Sequence, residues 1–271
     1  MTTLLPGLFS ILLYLLATGL LVARLAQGPA EVDAHRNRIL LIGFTAVLIH
    51  GILLYPYILT AGGLNLGFFN AASLIALLIA CLLLLACFQE PVETLGIPVF
   101  SIAAISIGLL LVIPPADQVV ELEESSWQLD IHIMLSLLAY SILGLAALQA
   151  LLLAIQNYHL HNRHPGGFIR ALPPLQSMET LMFQMIGIGF SLLTLALLTG
   201  ILFVEDIFSQ HLVHKTVLSF AAWVVFAVLL WGRWRFGWRG RIAIRWTVGG
   251  YVFLMLAYFG SKFVLELVIQ R

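Results

Sequence analysis

The sequence predicts an all-α fold, a polytopic membrane helix bundle with eight transmembrane helices. Three observations carry that prediction. Of 271 residues, 61% are hydrophobic and only 10% charged, whereas a soluble domain is roughly a quarter charged. Apolar runs of the roughly twenty residues a helix needs to cross a bilayer recur along the whole chain, with no linker, repeat or soluble domain between them. These runs lack period-two alternation, which excludes the closed barrel, the only other structure that satisfies its backbone in lipid. The prediction is one transmembrane domain over residues 1–271.

The spans fall at about 5–25, 39–59, 68–88, 97–113, 131–155, 180–203, 216–232 and 246–266. The first has no basic n-region and no clear small-residue cleavage site, so it is expected to be a retained helix rather than a signal peptide. The second carries His50 near its middle. Gly43, Ala46, His50 and Tyr57 share one face of it, which should turn inward. The third holds Cys81 and Cys87, the two cysteines of the chain. They lie on different helix faces without a CxxC motif, so small packing residues are expected rather than redox chemistry. Pro98 and Pro114-Pro115 bound the short fourth span.

The fifth span follows an acidic loop (Asp117, Glu121, Glu123, Glu124, Asp130) and opens at once on His132, in WQLDIHIMLSLLAYSILGLAALQALLLAIQ. Ser136, Tyr140 and Gly144 recur at four-residue steps behind it, a stripe that should face other helices. Gln184, Gly187, Ser191 and Thr194 make a similar stripe on the sixth span. The seventh and eighth are joined by RWRFGWRGRIAIR. Its arginines and tryptophans read as a topology anchor against lipid headgroups, with Trp231, Trp234, Trp238 and Trp246 as an aromatic belt. Nucleic acid is not the expected partner of so short a loop.

Thirteen basic and thirteen acidic residues cancel, so net charge excludes nothing, but placement orients the chain. Arg24, Arg36, Arg38, Arg163, Arg170, Arg233, Arg235, Arg239, Arg241 and Arg245 fall on one side, and Lys215, Lys262 and Arg271 on the other. The positive-inside rule makes the first set cytoplasmic. Both termini and the acidic loop are then outside. His35, His159, His161 and His164 become cytoplasmic loop residues, and His132, His211 and His214 lie at the outer surface.

Four histidines are candidates for chemistry. An ionisable residue deep in a span marks a functional site by default, which singles out His50. The alternative is a neutral imidazole hydrogen-bonded across helices. His132 is either a ligand at the mouth of a rigid helix or an interfacial residue. His211 and His214 share a face and, with Asp206, have the ligand types of a divalent-metal site, although a solvated loop is the simpler reading. The cytoplasmic trio beside Pro165-Gly166-Gly167 reads as hydrated loop. No Walker loop, GxGxxG, HExxH or GxSxG occurs, and no nucleophile–base set appears, so no enzyme is expected.

HIMLSLLAYSILGLAALQALLLAIQ from His132, KTVLSFAAWVVFAVLLWGRWRFGWRGR from Lys215 and the following YVFLMLAYFG together resemble the cytochrome c assembly transmembrane proteins, a haem-handling family, and within it the YpjD/HemX-like branch. The resemblance covers roughly residues 40–265 and is strongest over 127–265. It implies a bacterial inner-membrane protein with periplasmic termini. It also implies an external histidine opening a span, matched by His132, and a buried histidine in an earlier span, matched by His50. Two stretches depart from the family. VEDIFSQHLVHK lacks the tryptophans of its outer segment, and no histidine follows LAYFG. Both departures bear on a bis-histidine haem site.

The expected function is binding or handling haem at the periplasmic side in support of cytochrome c maturation, with haem as cofactor and assembly proteins as possible partners. His132, His50 and His214 are the candidate cofactor-binding residues, and His132 is the primary axial ligand. His50 lies roughly 16 Å from the cytoplasmic end at 1.5 Å per residue and about 14 Å below the outer end of a ~30 Å core. That is too deep to share an iron with a surface His132. His214 is the second ligand if its loop folds over the cleft. Ser136 and Tyr140 are expected to orient the ligand. Two other functions stay open: a non-haem accessory protein that docks and stabilises a membrane partner, and a small-solute or ion transporter with His50 as proton relay.

Overall fold

The computed structural model describes residues 3–27, 36–60, 63–113, 119–121, 127–162, 172–203 and 210–263. Eight helices are long and apolar enough to cross a membrane. They are α1 (Leu4–Gln27), α2 (Arg36–Ile58), α3 (Phe68–Ala86), α4 (Gly96–Val112), α5 (Trp127–His161), α6 (Leu175–Phe203), α7 (Gln210–Phe236) and α8 (Gly240–Met255). A π-helical turn, Leu256–Gly260, carries the last helix onward. Short strands β1 (Leu59–Thr60), β2 (Gly63–Asn65) and β3 (Val119–Glu121) form a small sheet in that order, with β1 and β2 antiparallel. Every predicted span is therefore a helix. α5 extends beyond its apolar run at both ends, to Trp127 and His161.

The chain divides into two compact units, residues 1–120 with 158–174, and residues 121–157 with 175–271. In the first unit α1 packs on α2 and α4, and α3 packs on the same two helices, closing a four-helix ring. Close approach explains part of its composition. A Cβ on Gly96 would lie 2.6 Å from a Leu21 methyl, and one on Gly43 would lie 3.0 Å from the Phe100 ring. The expected inward face of α2 is buried at Gly43, Ala46 and His50. At one end, Arg36 Nε donates to Glu93 Oε1 and Nη2 donates to the Cys87 carbonyl, tying α2 to the α3–α4 connection.

In the second unit α7 packs on α6 and α8, and the π-helical turn packs on both α7 and α8. α5 runs antiparallel to α6. A Cβ on Gly189 would meet Leu143 at 2.6 Å, and Gln149 Nε2 donates to the Met178 carbonyl at 3.1 Å. The buried face of α6 is Met178, Met182, Met185, Ile186, Gly189, Leu193 and Ala196. Gln184 and Ser191 are exposed instead, which corrects the expected inward stripe. Ser191 Oγ donates to the Gly187 carbonyl one turn back, so its hydroxyl needs no partner from another helix. Only Thr194 of that set works between helices, accepting from Trp223 Nε1 at 2.9 Å. At the arginine-rich end, Arg233 Nη1 donates to buried Glu179 at 3.0 Å and to the Trp238 carbonyl at 3.2 Å, and stacks its guanidinium 4.5 Å from the Phe183 ring centre.

Candidate functional site

His132 stands in the second turn of α5 and is half-buried. Its Nδ1 lies 2.8 Å from the carbonyl oxygen of Ala196 and 3.2 Å from Thr199 Oγ1, both on α6. A carbonyl oxygen only accepts, so Nδ1 carries the proton and donates it. Nε2 then keeps its lone pair and has no hydrogen-bond partner among the described residues. The Thr199 hydroxyl donates back to its own helix, at the Leu195 and Ala196 carbonyls, so only an oxygen lone pair faces the imidazole. Gly200 completes the seat. A Cβ there would fall 2.9 Å from His132 Cε1, so only glycine lets the α6 backbone flank the ring this closely. Two elements thus hold one imidazole by position, tautomer and fit.

Neither Ser136 nor Tyr140, the residues expected to orient the ligand, fixes the tautomer of His132. Ser136 makes no side-chain hydrogen bond to His132 among the described residues, and Tyr140 turns to α8 and the turn beyond it. Its ring lies 5.3 Å from Tyr251, 6.4 Å from Tyr258 and 5.8 Å from Phe259. Tyr140 is buried, so this aromatic cluster fills the unit behind the histidine. The tautomer of His132 comes from a backbone carbonyl 64 residues away.

His50 is fully buried in the first unit, among three helices. Its Nδ1 lies 3.2 Å from Tyr14 Oη on α1, and its Nε2 lies 2.8 Å from Ser73 Oγ on α3. One step along, Ser10 Oγ donates to the Ala46 carbonyl at 3.1 Å. Both ring nitrogens are therefore engaged by hydroxyls, each able to donate or accept, and the ring is further enclosed edge-on by Tyr14 at 5.9 Å between centroids.

His214 is exposed on the first turns of α7, with no bond to His132 among the described residues. Asp206 lies outside the described residues, as does the side chain of His211, and so the expected metal trio falls there. Also outside are His35, His164, Arg163, Arg170, Arg271 and most of the acidic loop. Among the described residues no group of three His, Cys, Asp or Glu side chains is placed to hold a metal ion. The partners Tyr14, Ser73, Ala196, Thr199 and Gly200 were not singled out from the sequence. Tyr14 alone carries a signal, a polar aromatic on one face with Ser10 and Ala17 in an otherwise apolar helix.

Comparison with known proteins gives a consistent picture. The family model described as cytochrome C assembly protein matches residues 38–269, across both units. The inner membrane protein YpjD of Escherichia coli strain K12 is 37% identical over 260 residues, covering 95% of this chain and 98% of that protein. The cytochrome c biogenesis protein CcsA of Prochlorococcus marinus strain MIT 9515 is 25% identical over 202 residues, covering 62% of this chain and 63% of that protein. No solved structure gives a significant match.

Proposed function

The chain belongs to the cytochrome c assembly protein family and is a multi-pass inner-membrane protein with a role in cytochrome c maturation; we propose that it performs this role by binding haem through His132 at the outer face of the membrane. The observation that carries the proposal is the Nδ1–H···O=C bond from His132 to Ala196. A metal-ligating histidine characteristically donates its other ring N–H to a carbonyl or carboxylate, which fixes the tautomer and orients the lone pair. His132 has that arrangement on a helix rather than a loop, as a pre-organised ligand should be.

When bound, haem would supply an iron, and the Nε2 lone pair of His132 would hold it. The residues of the chain do the rest. Ala196 and Thr199 hold the Nδ1 proton, Gly200 gives the ring its clearance, and α5 sets its depth. An outer position for this seat is supported by the ten-to-three division of Lys and Arg in the sequence, which also favours external termini. His214 is the second-ligand candidate on the same unit. His50 has neither nitrogen to spare and serves as a brace between helices. The role is one of holding and presenting a cofactor to assembly partners rather than catalysis.

The test is the absorption spectrum of the detergent-purified chain after haem-replete expression. A Soret band with reduced α and β bands is expected, and it should disappear in His132→Ala. Haem retained in His132→Ala but lost in His214→Ala would overturn the assignment. A colourless wild-type protein would leave the accessory-protein reading in its place.

A further inference from the structure

The first unit contains a cavity of about 390 Å³ at its arginine-bearing end. That is room for roughly a dozen waters at their liquid volume, more than a structural water site needs. Two side chains of opposite charge line it without ion-pair partners among the described residues, Arg24 from the last turn of α1 and Glu90 from the α3–α4 connection. The third and fourth charges in the wall neutralise one another, since Arg36 is committed to Glu93 and to the Cys87 carbonyl. The free guanidinium and the free carboxylate share one cavity but are more than an ion-pair distance apart. Leu21, Leu25 and Phe88 supply an apolar side to the same cavity. Phe88 is 67% exposed and follows Leu85, itself 52% exposed, so the apolar lip continues onto the outside of the spanning helix.

We propose that this cavity holds the headgroup of a membrane phospholipid carrying a primary ammonium, with Arg24 on the phosphate and Glu90 on the ammonium.

The charge pattern selects the ligand. A guanidinium offers forked donors that match phosphate oxygens, and a carboxylate accepts N–H bonds. A phosphoethanolamine head presents both groups at once. A choline head has the same charges but no N–H to give Glu90, and an anionic glycerol head offers Glu90 only neutral hydroxyl donors and no positive charge to balance the carboxylate. The apolar lip argues for a lipid rather than a soluble phosphoethanolamine, because acyl chains leaving the cavity meet Phe88 and Leu85 instead of water. Nothing in the haem proposal depends on this site, which lies wholly within the first unit.

The experiment uses the full chain, delipidated in detergent and re-equilibrated with an equimolar mixture of phosphatidylethanolamine, phosphatidylcholine and phosphatidylglycerol of matched acyl chains. Retained lipid is counted by native mass spectrometry. One charge-assisted hydrogen bond more or less is worth about tenfold in retention. The ethanolamine lipid should therefore be enriched about tenfold over the choline lipid. Glu90→Gln should abolish that preference, and Arg24→Gln should reduce retention of both lipids. Glu90 is exposed and Arg24 half-buried, so both variants should keep the melting temperature of the parent. If either misfolds, the wild-type preference still decides. Equal retention of the three lipids, or unchanged selectivity in both variants, would overturn the proposal. Soluble phosphoethanolamine at millimolar concentration should fail to compete. Full competition by it would make the free compound the ligand and remove the lipid from the proposal.

Discussion

His50 and His132 each stand alone among apolar residues of a spanning helix, one in each compact unit, and their surroundings differ in one atom type. His50 meets two hydroxyls, Tyr14 Oη and Ser73 Oγ. His132 meets a carbonyl oxygen at Ala196, with a weaker approach to Thr199. A hydroxyl donates or accepts as required, so it satisfies either tautomer and leaves the ring a passive link. A carbonyl accepts only, so it forces the proton onto Nδ1 and leaves Nε2 with a lone pair and no partner among the described residues. Under the proposed function the same side chain is a brace in the first unit and a haem ligand in the second. Burial alone would have ranked them the other way, since the deeper ionisable residue is the usual functional candidate.

The most drastic way to break this contrast is to remove His132. His132→Ala should lose all spectroscopically detectable haem while the thermal melt in detergent stays close to wild type, because the residue is half-buried and its partners stay satisfied. The Ala196 carbonyl remains within its helix, and the Thr199 hydroxyl is already bonded to its own backbone. The complementary variant is His50→Leu. It fills the space but leaves the Tyr14 and Ser73 hydroxyls unpaired in a dry interior. Unpaired groups of this kind cost about 1–3 kcal/mol each in water-soluble cores and less between membrane helices, so a loss of about 2 kcal/mol is expected, with haem content per folded molecule unchanged. A stable His50→Leu protein that has lost haem would invert the comparison and return His50 to the site.

Much of this was legible in the sequence, and what was not has a common cause. Eight spans follow from hydropathy, because lipid demands a continuous apolar length. His50 stands out because it interrupts such a length, and His132 because it opens one. Their partners do not, because Tyr14, Ser73 and Ala196 lie 36, 23 and 64 residues from the histidines they hold. Helical spacing finds neighbours on the same helix, which is why Ser136 and Tyr140 were the expected partners of His132. The actual one is a backbone carbonyl, a group that every residue has and no sequence pattern marks. The α6 stripe failed for a related reason, since Ser191 satisfies itself on its own backbone and carries no information about which face is buried. The division into two units left no mark in composition either, because both are built from the same apolar alphabet.

A finer test keeps His132 and disturbs its seat. In Gly200→Ala the added methyl would stand 2.9 Å from His132 Cε1, closer than ordinary van der Waals contact, so the ring or the helix must shift. Partners that orient a metal ligand are worth roughly ten- to a hundredfold in affinity. A loss near the lower end, about tenfold, is expected, because the bond to Ala196 survives a small tilt. Competition for haem with an apo-globin of known affinity would measure it. Affinity unchanged within twofold would mean that the imidazole is not held by this side of α6, and that its tautomer is incidental to binding.

The smallest effect is expected from Thr199→Val, and it bears most directly on the contrast between the two histidines. Valine has nearly the shape of threonine and removes the hydroxyl that lies 3.2 Å from Nδ1, while the Ala196 carbonyl at 2.8 Å stays where the helix puts it. If the carbonyl fixes the proton, haem affinity should fall by no more than about threefold, the worth of an interhelical hydrogen bond of roughly 0.6 kcal/mol. The same variant should leave the melting temperature unchanged, because the threonine hydroxyl donates only within its own helix. A loss of haem as complete as that in His132→Ala would give a different answer. The hydroxyl would then be the group that holds Nδ1, and His132 would be held by the same chemistry as His50. A hydroxyl-held imidazole is free to take either tautomer, so pre-organisation of Nε2 could no longer distinguish the two, and depth in the membrane would be the remaining difference between them.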